Sequence, residues 1–134
     1  MKSTKFLVLA LLLSVGLLSS CKKDQTAYNK LAGKWKLERL TLDGFMQEVP
    51  PSFVMLLTFG DCDAGSTCSL VTSQSTDGGA HFSEDTENFT LSSDGKKIIK
   101  DDGSITIDKL TKTNLQLSST DDNSSTTIFE LKKQ

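Results

Sequence analysis

The scarcest side chains with chemistry to offer here are Cys21, Cys62, Cys68, the single His81 and the single Arg39. One histidine leaves little room for a Ser-His-Asp relay. No G-x-S-x-G, Walker loop or H-E-x-x-H occurs either, so an enzyme is not expected. His81 with Glu84 and Asp85 could be read as metal ligands, yet two acids and a histidine in a polar stretch are more often a solvated turn. Asp61-Cys62-Asp63-Ala64-Gly65 echoes the opening of a calcium loop but lacks its later bidentate glutamate. Neither a metal nor another cofactor is expected. The cysteines carry the sharper signal.

Cys21 closes the stretch Leu18-Ser19-Ser20-Cys21, which follows Lys2, Lys5 and an apolar run from Phe6 to Leu18 broken only by Ser14 and Gly16. That run is 13 residues long. It is too short for a hydrocarbon core that needs about 20, and it fits the apolar part of a secretory signal, about 7–15. Small residues directly before a cysteine resemble a bacterial lipobox. The resemblance implies cleavage after residue 20 and fatty acylation, palmitate-type, of the Cys21 thiol. Each buried CH₂ contributes about 0.8 kcal/mol, so two or three acyl chains make attachment effectively permanent. Lys22-Lys23-Asp24-Gln25 would then be a lipidated tether over residues 21–25. A basic residue after the cysteine, rather than an aspartate, is similar to lipoproteins sent to the outer membrane. Both faces of that membrane stay open.

Removing residues 1–20 from 134 leaves 114, one domain's worth. Lys2 and Lys5 leave with the segment, so the formal charge of −2 becomes −4. A weakly acidic chain without a basic stripe is not expected to bind nucleic acid. With Cys21 assigned to lipid, Cys62 and Cys68 remain as a pair. In an oxidising compartment they are expected to form a structural disulfide, since their spacing is not C-x-x-C.

The elements around these residues read as β-structure. Thr26 could cap a short helix over Ala27–Ala32, with Gly33 as its exit. Beyond it apolar residues recur at spacing two in short runs. Eight strands follow, over about 34–42, 53–59, 69–73, 88–92, 96–100, 104–108, 114–118 and 126–132. Asp43-Gly44 reads as a turn, and Asp94-Gly95 and Asp102-Gly103 favour hairpins. In the first strand Trp35 and Leu37 share one parity and Leu40 and Leu42 the other, so a bulge near Arg39 or a bend is implied. Gln74 to Asp85 reads as a polar connection. No βαβ crossover is available, so neighbours should be antiparallel. An up-and-down eight-stranded barrel is the economical topology, because closure removes edges. An immunoglobulin-type sandwich lacks its Cys…Trp…Cys spacing.

Gly33-Lys34-Trp35, opening the first strand after a short helix, resembles the G-x-W element of lipocalins. Leu31 to Leu42, together with Ile107-Asp108-Lys109-Leu110-Thr111 and Leu115-Gln116-Leu117, is similar to the lipocalin-like domains of small bacterial envelope lipoproteins. The likeness spans residues 27–132 and implies a barrel domain over 26–134 with Trp35 plugging its floor. Lys132 or Lys133 could cover that ring by a cation–π contact.

The residues expected to line a ligand pocket are Trp35, Leu37, Arg39, Phe53, Met55, Leu57 and Phe59. Arg39 would pair a ligand carboxylate if the first strand keeps phase, and would be solvated if a bulge intervenes. Eight-stranded barrels are either filled or hold one small ligand. The expectation is thus a lipid-anchored envelope protein that binds a small apolar or amphipathic molecule. The rival is a filled barrel serving as a non-catalytic accessory module for envelope proteins. Replacing Cys21 by serine should move the chain from the membrane to the soluble fraction and remove acyl mass from its amino-terminal peptide. An unmodified amino terminus on the natural chain would overturn the anchor.

Overall fold

The computed structural model describes residues 22–134; Cys21 and the apolar run before it lie outside the described residues. Among the described residues no helix is long and apolar enough to cross a membrane. One helix, α1 (Lys22–Leu31), precedes nine strands: β1 (Gly33–Leu42), β2 (Phe45–Gln47), β3 (Val54–Phe59), β4 (Cys68–Ser75), β5 (Ser83–Leu91), β6 (Lys97–Lys100), β7 (Gly103–Leu110), β8 (Asn114–Thr120) and β9 (Thr126–Lys133). Every pairing is antiparallel, and from β3 onward each strand pairs with the next in the chain.

β1 closes the sheet. Its first half, Gly33 to Lys36, pairs with β3, and its second half, Leu40 to Leu42, pairs with β2. Along its other edge it pairs with β9 from Trp35↔Lys133 to Leu42↔Thr127. Eight strands therefore form the expected closed barrel, and β2 rides on β1 as a three-residue ninth.

Three features depart from the sequence reading. The helix starts at Lys22, not at Thr26, so residues 22–25 are its first turn rather than a tether. Asp24 there complements the positive end of the helix dipole. The Gln25 side-chain oxygen Oε1 accepts the Ala64 N–H at 2.7 Å, tying that turn to the β3–β4 loop. Second, Asp43 and Gly44 both have positive φ, 49° and 83°, and join β1 to a second strand. Phe45 to Gln47 are all exposed, so no alternation marked them. Third, β5 begins at Ser83 inside the supposed polar connection. Its first four residues are exposed on both faces, and the ladder to β4, from Gln74↔Ser83 to Cys68↔Phe89, holds them extended.

The implied bulge exists. The β1–β9 register shifts between Leu37 and Arg39, placing Glu38 opposite no partner. A matching shift lies between Ile107 and Lys109. Each extra residue lets the strand turn the next apolar side chain inward. Cys62 and Cys68 are bonded, with their Cα atoms 6.1 Å apart, and close the loop between β3 and β4. Closing so short a loop stabilises by about 2 kcal/mol in the chain-entropy picture.

One end of the barrel is sealed by α1 and Trp35, which is fully buried. The Trp35 indole N–H donates to the Leu31 carbonyl at 2.8 Å, satisfying a helix-terminal acceptor. Lys133 Nζ lies 5.1 Å from the centre of that ring and donates to the Lys30 carbonyl at 3.2 Å. Tyr28 Oη, from the helix, accepts the Leu91 N–H at 2.7 Å. Gly33 turns the chain from helix to strand with φ +120°, and a Cβ there would stand 3.0 Å from Lys133 Cε. Gly33→Ala should therefore lower unfolding free energy by about 1–3 kcal/mol, the usual cost of such a backbone conformation. Chemical denaturation measures it, and a variant as stable as the natural chain would refute this account of the seal.

Candidate functional site

Above the seal the interior is not completely filled. A cavity of about 120 Å³ lies inside the barrel. Alternation in β3 points Met55, Leu57 and Phe59 into it, and their cross-strand neighbours bring in Thr72 and Leu70. Ile98, Ile105, Leu117 and Phe129 complete the apolar wall.

Two charged side chains also line it. Glu87 sits opposite Leu70 across the β4–β5 ladder, and Lys100 ends β6. β5 and β6 pair through only two residue pairs, Thr90↔Ile99 and Leu91↔Ile98. Beyond that short ladder Lys100 Nζ reaches Glu87 Oε1 at 2.9 Å, with Asp102 Oδ1 at 3.5 Å. The Lys100 side chain is 15% exposed and Glu87 31%, so the pair stands partly inside the barrel, whereas Asp102 is largely in solvent. Burial alone would pull the Lys100 ammonium down. The hydrogen bond and charge of Glu87, with the charge of Asp102, outweigh it and raise the lysine above its ordinary value. Lys100 is therefore charged at neutral pH.

Of the residues expected to line a pocket, Met55, Leu57 and Phe59 do so. Trp35 and Leu37 are buried in the core without lining the cavity, and Phe53 packs on the edge of that core. Of the two orientations open to Arg39, the solvated one holds. The bulge at Glu38 turns it outward, where it is 55% exposed and faces Glu130 at 3.6 Å. Its guanidinium does not line the cavity. The sequence reading also missed Glu87 and Lys100, although a signal existed. Glu87 has the parity of Phe89 and Leu91, and Lys100 that of Ile98, so extending each alternation by one step would have placed both inside.

The other candidates part company in space. His81 Nδ1 bonds Asp77 Oδ2 at 2.7 Å, not Glu84 or Asp85, while Glu84 accepts from the Ser73 hydroxyl at 3.4 Å. No group of three or more metal-ligating side chains occurs among the described residues, the Asp61–Gly65 loop included. No protein-family model matches the chain, and no curated protein matches it.

Asp77 is the residue that organises the β4–β5 turn. The Ser75 hydroxyl and the His81 backbone and ring donate to it, and its pKa falls from 3.8 to about 2. A depressed carboxylate stabilises the folded state above its unfolded value and loses that contribution as pH falls through its folded one. The turn over 75–81 should thus hold its native chemical shifts at pH 4 and lose them only as pH approaches 2. An Asp77 titration midpoint at or above 3.8, followed by NMR, would contradict the geometry.

Proposed function

We propose that this chain is a lipid-anchored protein of the bacterial cell envelope, held at the outer membrane through acylated Cys21, whose lipocalin-like barrel binds a small apolar or amphipathic molecule. The role is binding and not catalysis. One observation carries the reading: the apolar cavity of about 120 Å³ retained inside a barrel otherwise sealed at one end. An apolar cavity of roughly 150 Å³ in another protein stays dry and takes up benzene. Sites for drug-sized ligands begin at about 300 Å³. The size therefore suits one ring, or the tip of a larger amphiphile whose remainder stays outside.

The anchor and the site fit together. α1 follows Cys21 directly and packs at the sealed end, through Tyr28 to β5 and through Gln25 to the β3–β4 loop. The Lys100–Glu87 pair lies beyond that seal, where the β5–β6 ladder has stopped. A ligand would reach the cavity from the side away from α1.

A second reading has its own observation. Phe45 and Met46 on β2 are 74% and 67% exposed, and Leu42 beside them is 41%. They stand at the opposite end of β1 from Gly33 and α1. An accessory module that docks on an envelope protein would present such a tip.

Toluene separates the two. Saturating toluene should raise the melting temperature of the natural chain and leave Met55→Trp, whose indole fills the cavity, unshifted. Equal responses in both proteins would sink the pocket reading. Phe45→Ser with Met46→Ser should leave toluene binding intact under the first reading and abolish partner docking under the second.

A further inference from the structure

We infer that the barrel cavity selects ligands whose polar end is an uncharged hydroxyl and rejects carboxylates of the same shape. The inference rests on the pocket reading above and deepens it by naming the ligand class.

The lining is the ground for it. Eight of the residues around the cavity are apolar, and only Thr72, Glu87 and Lys100 offer polar atoms. A lysine beside an apolar cavity invites an acidic headgroup at first sight. This lysine is already engaged. Its ammonium has three N–H donors, one directed at Glu87 at 2.9 Å and a second at Asp102 at 3.5 Å. One donor is left for a ligand. The local sum of charges is one cation against two anions, so the site is net negative before anything enters. Asp102 contributes less of this, being 74% exposed and so screened by water, but Glu87 stands partly inside the barrel.

A ligand carboxylate would bring a third anion to one ammonium. It would lose part of its own hydration and face Glu87 in a setting where like charges are less screened than in open water. A hydroxyl meets the opposite situation. It accepts from the free lysine donor and gives its proton to a remaining Glu87 lone pair or to Thr72 Oγ1, with no charge to bury. The same side chains thus reward a group that both donates and accepts and penalise one that only accepts.

Benzyl alcohol and benzoate test this, since they share a ring that matches the cavity and differ at the polar end. Binding to the full chain would be followed by saturation-transfer NMR, with Met55→Trp as the blank that removes surface and membrane partitioning. Benzyl alcohol should bind at least tenfold more tightly than benzoate at pH 7. In Glu87→Gln, which removes one anion and keeps an amide oxygen for Lys100, the ratio should shrink several-fold. Benzoate binding as tightly as the alcohol to the natural chain would overturn the inference and leave the pocket reading standing. A ratio unchanged in a folded Glu87→Gln chain would overturn it too. If neither compound binds above the blank, the pocket reading falls and the inference with it. Should Glu87→Gln fail to fold, the ratio measured on the natural chain decides alone.

Discussion

The hydrogen bond from the Trp35 indole to the Leu31 carbonyl is the constraint on which the rest of the fold depends. A helix leaves carbonyls without partners at its last turn, and burying them unpaired is costly. Here Trp35 takes one and Lys133 takes the Lys30 carbonyl, so the end of α1 can be buried against the barrel. The two residues that do this, Trp35 and Lys133, also face each other in the β1–β9 register that closes the sheet. Helix docking and barrel closure are in this way one event, and Gly33 fits between them because it has no side chain.

Above that junction the barrel is governed by two one-residue irregularities. Side chains alternate along a strand, so a single extra residue exchanges inside for outside. The shift at Glu38 sends Arg39 to solvent and returns Leu40 to the side facing Phe129. The shift past Ile107 does the same for β7, where Ile107 is buried and Leu110 is half-buried. The only arginine ends outside and Lys100 ends inside. Neither outcome follows from its own chemistry.

The unequal strand lengths explain why charge enters the interior at all. β4 and β5 form a long hairpin, while β6 is only four residues and meets β5 through two pairs. Where that ladder ends, the backbone no longer fills the wall. Lys100 and Glu87 span the gap side chain to side chain, and their hydrogen bond outweighs the cost of burying the lysine. The cavity is thus a consequence of a short strand beside a long one, with an ion pair at their divergence.

The sequence by itself determined the alternation of Leu115 and Leu117, of Ile105 and Ile107 and of Leu57 and Phe59, and hence an all-β chain with antiparallel neighbours. It determined the hairpins at Asp94-Gly95 and Asp102-Gly103, because their glycines accept positive φ, and the bond between Cys62 and Cys68. Such features are local: each is written within a few residues. Only the tertiary structure decided that Ser83 to Glu87 are strand, since their backbone is extended by β4 and not by any pattern of their own. It alone set Arg39 outside and brought Glu87 to Lys100, because these depend on where a bulge falls and where a neighbouring strand stops. Contacts made across strands are fixed by register and closure, and no stretch of chain read singly contains them.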